Sequence, residues 1–146
     1  MFGKQEAAQL RKEFWTVFGK YMQPVPSANG ENCNWINYKT GVKNIRFHMQ
    51  ADELSTVVAI ELDHIDSKLR ESVKHKFLLL TDELQQLPYL WKWKKDENRN
   101  MDVFITELPA VHILRKSDWP QIISFLKRAI VALDLFWWNN KFIFES

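Results

Sequence analysis

Two neighbouring segments, 44–51 and 56–63, constrain the fold more than any other part of the chain. Each alternates apolar and polar residues with the period of two that a half-buried strand requires. In the first, Ile45, Phe47, Met49 and Ala51 share one face, and Asn44, Arg46, His48 and Gln50 share the other. In the second, Val58, Ile60 and Leu62 are apolar, while Glu61 and Asp63 fall on the polar side. The connection Asp52-Glu53-Leu54-Ser55 is short, so the second strand is expected to return antiparallel. Closing the turn between Asp52 and Ser55 pairs Ile45 with Leu62, Phe47 with Ile60 and Met49 with Val58. On the opposite face the same register sets Arg46 against Glu61 and Asn44 against Asp63. A one-residue slip would turn the apolar set into water, so the parity of the pairing is determined by the sequence.

The remaining elements follow from periodicity and breakers. Residues 5–22 carry Leu10, Phe14, Val17, Phe18 and Met22 at helical spacing, and Pro24 and Pro26 end the helix. Residues 26–32 read as a loop, and 33–39 as a first strand closed by Lys39-Thr40-Gly41. A second helix is expected over 65–87, on the stripe Ile65, Leu69, Val73, Phe77, Leu80, Leu84 and Leu87, with Pro88 stopping it. Residues 89–94 and 101–107 read as strands around the polar turn 96–100, and 111–114 as an edge extension of the sheet. Ser117-Asp118-Trp119-Pro120 starts a third helix, which is expected to run to about Trp138. Asn139-Asn140 then breaks it, and 141–145 forms a short last strand.

The order is helix, three strands, helix, two or three strands, helix. It predicts a single α+β domain over 1–146, an α/β sandwich with a mixed, largely antiparallel sheet of about five strands and three helices. With 146 residues, 46% hydrophobic and 26% charged, such a domain buries its own core without staples. The single cysteine, Cys33, excludes an internal disulfide and any Cys-rich zinc motif. No apolar signal core opens the chain and no run is long enough for a bilayer, so no membrane association and a cytoplasmic location are expected. A net charge of +2, from 20 basic and 18 acidic residues, excludes bulk electrostatics as an argument for nucleic-acid binding. Seven tryptophans and ten phenylalanines are expected to fill a core or a dimer interface.

The polar hairpin face is the first candidate site: Asn44, Arg46, His48, Gln50, Glu61 and Asp63. An antiparallel hairpin with carboxylates on its second strand, followed by a helix, resembles the restriction-endonuclease-like core. There an Asp on one strand and an acidic-x-Lys triplet on the next hold a divalent metal and activate water. Here Glu61 fills the acidic position, but Asp63 stands where the lysine is needed. Arg46 and Asn44 stand where the partner Asp would lie, and Asp52, at the hairpin tip, is about 20 Å from Glu61. Catalytic residues are therefore not assigned. Arg46 and Glu61 read as a cross-strand ion pair. His48, Glu61 and Asp63 share a face and are weak candidates for a metal, Mg²⁺ or Mn²⁺ being implied only by a nuclease with an atypical site. His64 and His75 read as structural, and His112, on the expected edge strand, is given no role. A second candidate is a small basic-aromatic surface of Lys39, Lys43, Arg46 and His48 near Trp35 and Tyr38, on which single-stranded DNA or RNA bases would stack. A solvated hairpin edge is its alternative. No phosphate loop, nucleophile elbow or dinucleotide fingerprint occurs among the four scattered glycines.

Several strings carry a wider resemblance: RKEFWTVFGKYM at 11–22, NWINYKTGVK at 34–43, AIELDH at 59–64, TELPAV at 106–111 and DWPQIISFLKRAIVALDLFW at 118–137. With these the chain resembles a bacterial family catalogued as domain of unknown function 4268, almost end to end. Members that stand behind nuclease-like regions in longer proteins imply a nucleic-acid context, in bacterial defence or DNA metabolism, by association. The family supplies no catalytic residue and no cofactor. The leading expectation is a non-enzymatic accessory or binding domain with DNA or RNA as partner. The alternatives are a divalent-metal-dependent nuclease, and an interaction module that dimerises through the aromatic C-terminus, Phe136, Trp137 and Trp138 with Phe142 and Phe144.

Overall fold

The computed structural model describes residues 2–145. Met1 and Ser146, the ends of the expected 1–146 domain, lie outside the described residues. One four-stranded antiparallel sheet, in the order β1-β2-β4-β3, carries helices on one of its faces. Its strands are β1 (Ile45–Ala51), β2 (Ser55–Leu62), β3 (Lys92–Asp96) and β4 (Met101–Pro109). The helices are α1 (Lys4–Met22), α2 (Ser67–Leu78), a single turn α3 (Thr81–Leu84) and α4 (Trp119–Phe144), the last entered through a 3-10 turn at Lys116–Asp118. The α+β class stands. Among the described residues the sheet is wholly antiparallel rather than mixed, has four strands rather than five, and is accompanied by four helices rather than three. The strand order does not show a restriction-endonuclease-like fold.

The β1–β2 register is the one the alternation sets. Ile45 pairs with Leu62, Arg46 with Glu61, Phe47 with Ile60 and Met49 with Val58. The Asp52 amide donates to the Ser55 carbonyl at 2.8 Å and closes the turn, and the Asp63 amide donates to the Asn44 carbonyl at 3.1 Å. β4 then pairs with β2, placing Val103 beside Glu61 and Ile105 beside Ala59, and β3 closes the far edge with Lys94 beside Val103.

The core lies between the sheet and the helices. Ile45, Phe47, Val58, Ile60, Leu62 and Phe104 face Ile122, Leu126, Ile130, Leu133 and Trp137 of α4. Phe14 and Phe18 of α1 complete it, Phe14 meeting Trp119 edge-on at 5.4 Å between ring centroids. Phe77 of α2 lies 4.4 Å from Phe144. Burial of this many large side chains is the main stabilising term, at about 1.5–3 kcal/mol each before conformational entropy is subtracted.

Four expectations fail for local physical reasons. Residues 33–39 are not a strand. The Asn34 side chain accepts from the Asn37 amide at 3.1 Å, which folds the segment into a side-chain-closed turn. The helix expected over 65–87 starts at Ser67 and is interrupted after Leu78. Asp66 is its N-cap, accepting from the amides of Lys68 and Leu69, and Ile65 and Leu69 of the supposed stripe are 92% and 53% exposed. Residues 111–114 do not extend the sheet; the amides of Ala110 and Ile113 donate instead to the carbonyls of Leu54 and Asp52, tying this segment to the β1–β2 turn. Asn140 does not break α4. Its side chain donates to the Phe136 carbonyl one turn back at 2.9 Å and to Glu83 at 2.7 Å, so the helix runs through and 141–144 is helical rather than a strand.

Candidate functional site

Because α1, α2 and α4 pack on the same side, the other face of the sheet is left without a covering element. Alternation places Arg46, His48 and Gln50 of β1, Val57, Ala59 and Glu61 of β2, Val103 and Ile105 of β4 and Lys94 of β3 on it. Two concavities of about 560 and 440 Å³ meet there and share His48, Glu61 and Arg99. The second has an apolar floor of Val57, Ala59, Val103 and Ile105.

Glu61 organises this face. Although no helix covers it, it is only 2% exposed. Arg46 reaches one carboxylate oxygen at 3.3 Å from β1, and Arg99 reaches the other at 3.2 Å from the β3–β4 turn. Each guanidinium has a second carboxylate: Arg46 meets Asp63 at 3.3 Å, and Arg99 meets Asp96 at 2.8 Å. A buried carboxylate persists when it is paired and hydrogen-bonded, and here both oxygens are. The arginine side chains remain 57% and 50% exposed, so their outer N–H groups face solvent. Hydrogen bonds from the Arg99 side chain and backbone hold the Asp96 carboxyl below its ordinary range, and the Asp96 partnership raises Arg99 in turn.

The hairpin residues named from the sequence come together here in part. Asn44 donates to Asp63 at 2.9 Å, across the end of the hairpin. His48 contacts Gln50 at 3.3 Å, and Gln50 donates to Asp52 at 2.7 Å, so these two turn toward the hairpin tip rather than toward Glu61. Among the described residues, no three His, Cys, Asp or Glu side chains gather as metal ligands. His48, Glu61 and Asp63 do not converge, and the Glu61 oxygens are taken by two cations that would repel a metal ion.

The basic-aromatic surface divides. Lys39 and Lys43 lie at the surface. Trp35 is 3% exposed and its indole donates to the Val25 carbonyl at 2.9 Å, so it offers no free ring for a base. Tyr38 stacks on Phe47 at 5.1 Å and gives its hydroxyl to Asp134. Asp134, on the buried side of α4, also accepts from Ser27 at 2.9 Å and from the Ala28 amide at 2.7 Å. Trp137 donates to the Thr40 carbonyl at 2.8 Å. The long 23–40 connection is thus sewn to α4 by one carboxylate and one indole. Burial and the Asp134 hydrogen bond push the Tyr38 phenol well above its usual range, and burial, with the Asp134 charge second, pushes the Cys33 thiol up to about 11.

His64 is buried against Arg70, His75 lies on α2, and His112 accepts from the Leu114 amide at 3.1 Å in the segment before α4. The residues missed from the sequence are Arg99, Asp96 and Lys94. The turn they flank is legible as a turn, but nothing local says that Arg99 reaches back over the sheet to Glu61; that follows from β4 lying beside β2.

No helix among the described residues is long and apolar enough to cross a membrane. No curated protein and no solved structure matches the chain. Residues 10–141 match the family described as Domain of unknown function (DUF4268), and that span covers most of the chain. The chain belongs to this family.

Proposed function

We propose that the domain is a non-catalytic binding module and that the helix-free face of its sheet contacts nucleic acid. The observation that carries this reading is the arrangement around Glu61. A buried carboxylate holds two arginines in fixed positions on an uncovered surface and leaves their outer donors free. Guanidinium groups held in this way suit phosphate oxygens, because little rotamer freedom remains to be lost on contact. Lys39 and Lys94 border the same surface.

Each carboxylate that contacts these arginines, Glu61, Asp63 and Asp96, already has a cationic or amide partner. This supports binding rather than metal-assisted hydrolysis, which needs an acidic group free to hold a metal. Among the described residues, no aromatic side chain of the four strands lies on the open face, and Trp15 and Tyr38 line only the rim of its first concavity, so contact is expected mainly to the backbone. The carboxylates of Glu61, Asp63, Asp96 and Glu97 offset the cations of Lys39, Arg46, Lys94, Lys95 and Arg99, so the electrostatic contribution is modest. Two or three phosphate contacts correspond to a slope of about −2 in log affinity against log salt.

Fluorescence anisotropy with labelled single- and double-stranded DNA and RNA, titrated at several salt concentrations, tests the reading. Binding is expected at low salt, weakening with that slope, and Lys94→Glu with Lys39→Glu is expected to abolish it without unfolding. Absence of binding to every nucleic acid at low salt removes the proposal.

A further inference from the structure

The outward side of α4 departs from what a surface helix shows. Its first half presents Gln121, Ser124 and Arg128, as expected of a helix face in water. Its second half presents Leu135, Trp138 and Phe142, which are 54%, 40% and 70% exposed. With the half-buried Val131 they fall at spacings of four, three and four. This spacing keeps side chains on one narrow stripe and lets a facing helix interlock with it. The stripe is continuous, and it lies on the helix side that points away from the sheet. Phe136, Trp137 and Phe144, the other aromatic residues of this region, are buried in the core and take no part.

We propose that a second copy of this chain docks on this stripe, antiparallel to it, across a two-fold axis passing level with Phe136 and Trp137. In that register Leu135 meets the partner's Trp138 and Val131 meets the partner's Phe142, each small residue facing a large one. One further layer out, Arg128 meets the partner's Glu145. The charge pairing selects the occupant and its direction. Parallel docking stacks Arg128 on the partner's Arg128 and Glu145 on the partner's Glu145. Sliding the antiparallel pair by one heptad in one direction sets Arg128 against the partner's Trp138; in the other it sets Leu135 against the partner's Glu145. The matched register is the one in which every layer is apolar on apolar or opposite in sign. It also brings a cation to the C-terminal end of α4, where Glu145 sits unfavourably against the helix dipole. The interface is isologous, so each contact occurs twice.

The apolar stripe exposes on the order of 300 Å² per copy, less than half of what a standard interface contributes from each side, so a weak, concentration-dependent dimer is expected. The open sheet faces lie on the far side of each copy from this axis. The dimer therefore leaves both exposed, and it stands or falls independently of the nucleic-acid reading.

Sedimentation equilibrium of the wild-type chain, from about 1 µM to about 1 mM, is expected to show a monomer–dimer equilibrium in the micromolar range. Arg128→Glu and Glu145→Arg are each expected to weaken it about 10-fold through two symmetric like-charge contacts. Mixing the two variants is expected to restore association as a heterodimer. The two substituted side chains then face each other with opposite sign, and the Arg128 kept by one variant meets the Glu145 kept by the other. Leu135→Lys is expected to abolish association with the circular dichroism spectrum unchanged. A monomer at every concentration overturns the proposal and leaves the stripe to a different partner. A dimer indifferent to Leu135→Lys, or a mixture no tighter than its components, places the contact elsewhere and overturns it as well.

Discussion

The two faces of the sheet each bury a carboxylate and handle it in opposite ways. On the helix-covered face Asp102 is fully buried, and its partner Arg70 is buried too, at 3.3 Å, with Lys95 approaching the second oxygen at 3.4 Å. Arg70 gives its Nη1 donors to the carbonyls of His64, at 2.7 Å, and Asn100, at 3.2 Å. That cluster ties the end of β2, the start of α2 and the β3–β4 turn together; its Arg70–Asp102 pair is buried, and of its charged groups Lys95 alone reaches solvent, with its side chain 56% exposed. On the open face Glu61 is almost as buried, but its two arginines are half exposed. The covered site commits its charges to the fold. The open site holds charges in place while keeping them reachable, which is what a contact surface needs.

The largest effect that separates the two is on stability. Asp102→Ala strands Arg70 in the interior and is expected to cost about 3–5 kcal/mol, the usual penalty for breaking a buried pair from one side. Urea unfolding measures it. Glu61→Ala is expected to cost less, about 1–2 kcal/mol, because Arg46 and Arg99 relax into water and keep Asp63 and Asp96 as partners. If Glu61→Ala proves the more costly of the two, the open face is part of the structural framework and the contrast collapses.

The hairpin was readable and the other half of this face was not, for a physical reason. Strand alternation is local, and a four-residue connection leaves little choice of register, so Arg46 opposite Glu61 follows from residues 44–63 alone. Arg99 is 38 residues from Glu61, and its approach depends on β4 choosing β2 as its neighbour. No local pattern encodes that choice. Side-chain hydrogen bonds misled in both directions. Asn34 closes a turn where alternation suggested a strand, and Asn140 satisfies the helix it was expected to break. The aromatic count was informative about the core, and the periodicity of α4 separates Trp137 inside from Trp138 outside.

A smaller effect probes the 23–40 connection, which borders the open face through Lys39 and Tyr38. Tyr38→Phe removes one of three donors to Asp134 and is expected to cost about 1 kcal/mol near neutral pH. The same variant has a pH dependence with a definite sign. The folded phenol is raised above the ordinary value of 10.0, so the protonated form is the one the fold favours. Its contribution is full below that value and is lost as pH rises from it. The Cys33 thiol behaves likewise, from 9.0 when unfolded to about 11 when folded. Wild-type protein is therefore expected to lose stability above about pH 9 more steeply than the Tyr38→Phe, Cys33→Ser double variant. Equal alkaline slopes would mean that the connection is not anchored through Asp134 as described.

The smallest effect concerns His64, on the covered side at the end of β2. Its ring is buried, and its Nδ1 has no hydrogen-bond partner. Burial lowers its affinity for a proton, the Arg70 charge lowers it further, and Asp63 opposes both. A histidine whose folded pKa lies below the unfolded 6.5 contributes stability that is full above that value and is lost as pH falls through the folded one. The wild-type chain is thus expected to lose stability below about pH 6.5, ahead of the general titration of its carboxylates. His64→Gln, which keeps a polar side chain in the cavity but removes the titration, is expected to flatten this early limb while leaving the later one. Urea midpoints measured between about pH 5 and 7.5 for the two proteins decide it. An unchanged early limb would show that the covered cluster around Arg70 admits enough water to charge the ring. The buried character of the Arg70–Asp102 pair, on which the contrast between the two faces rests, would then have to be given up.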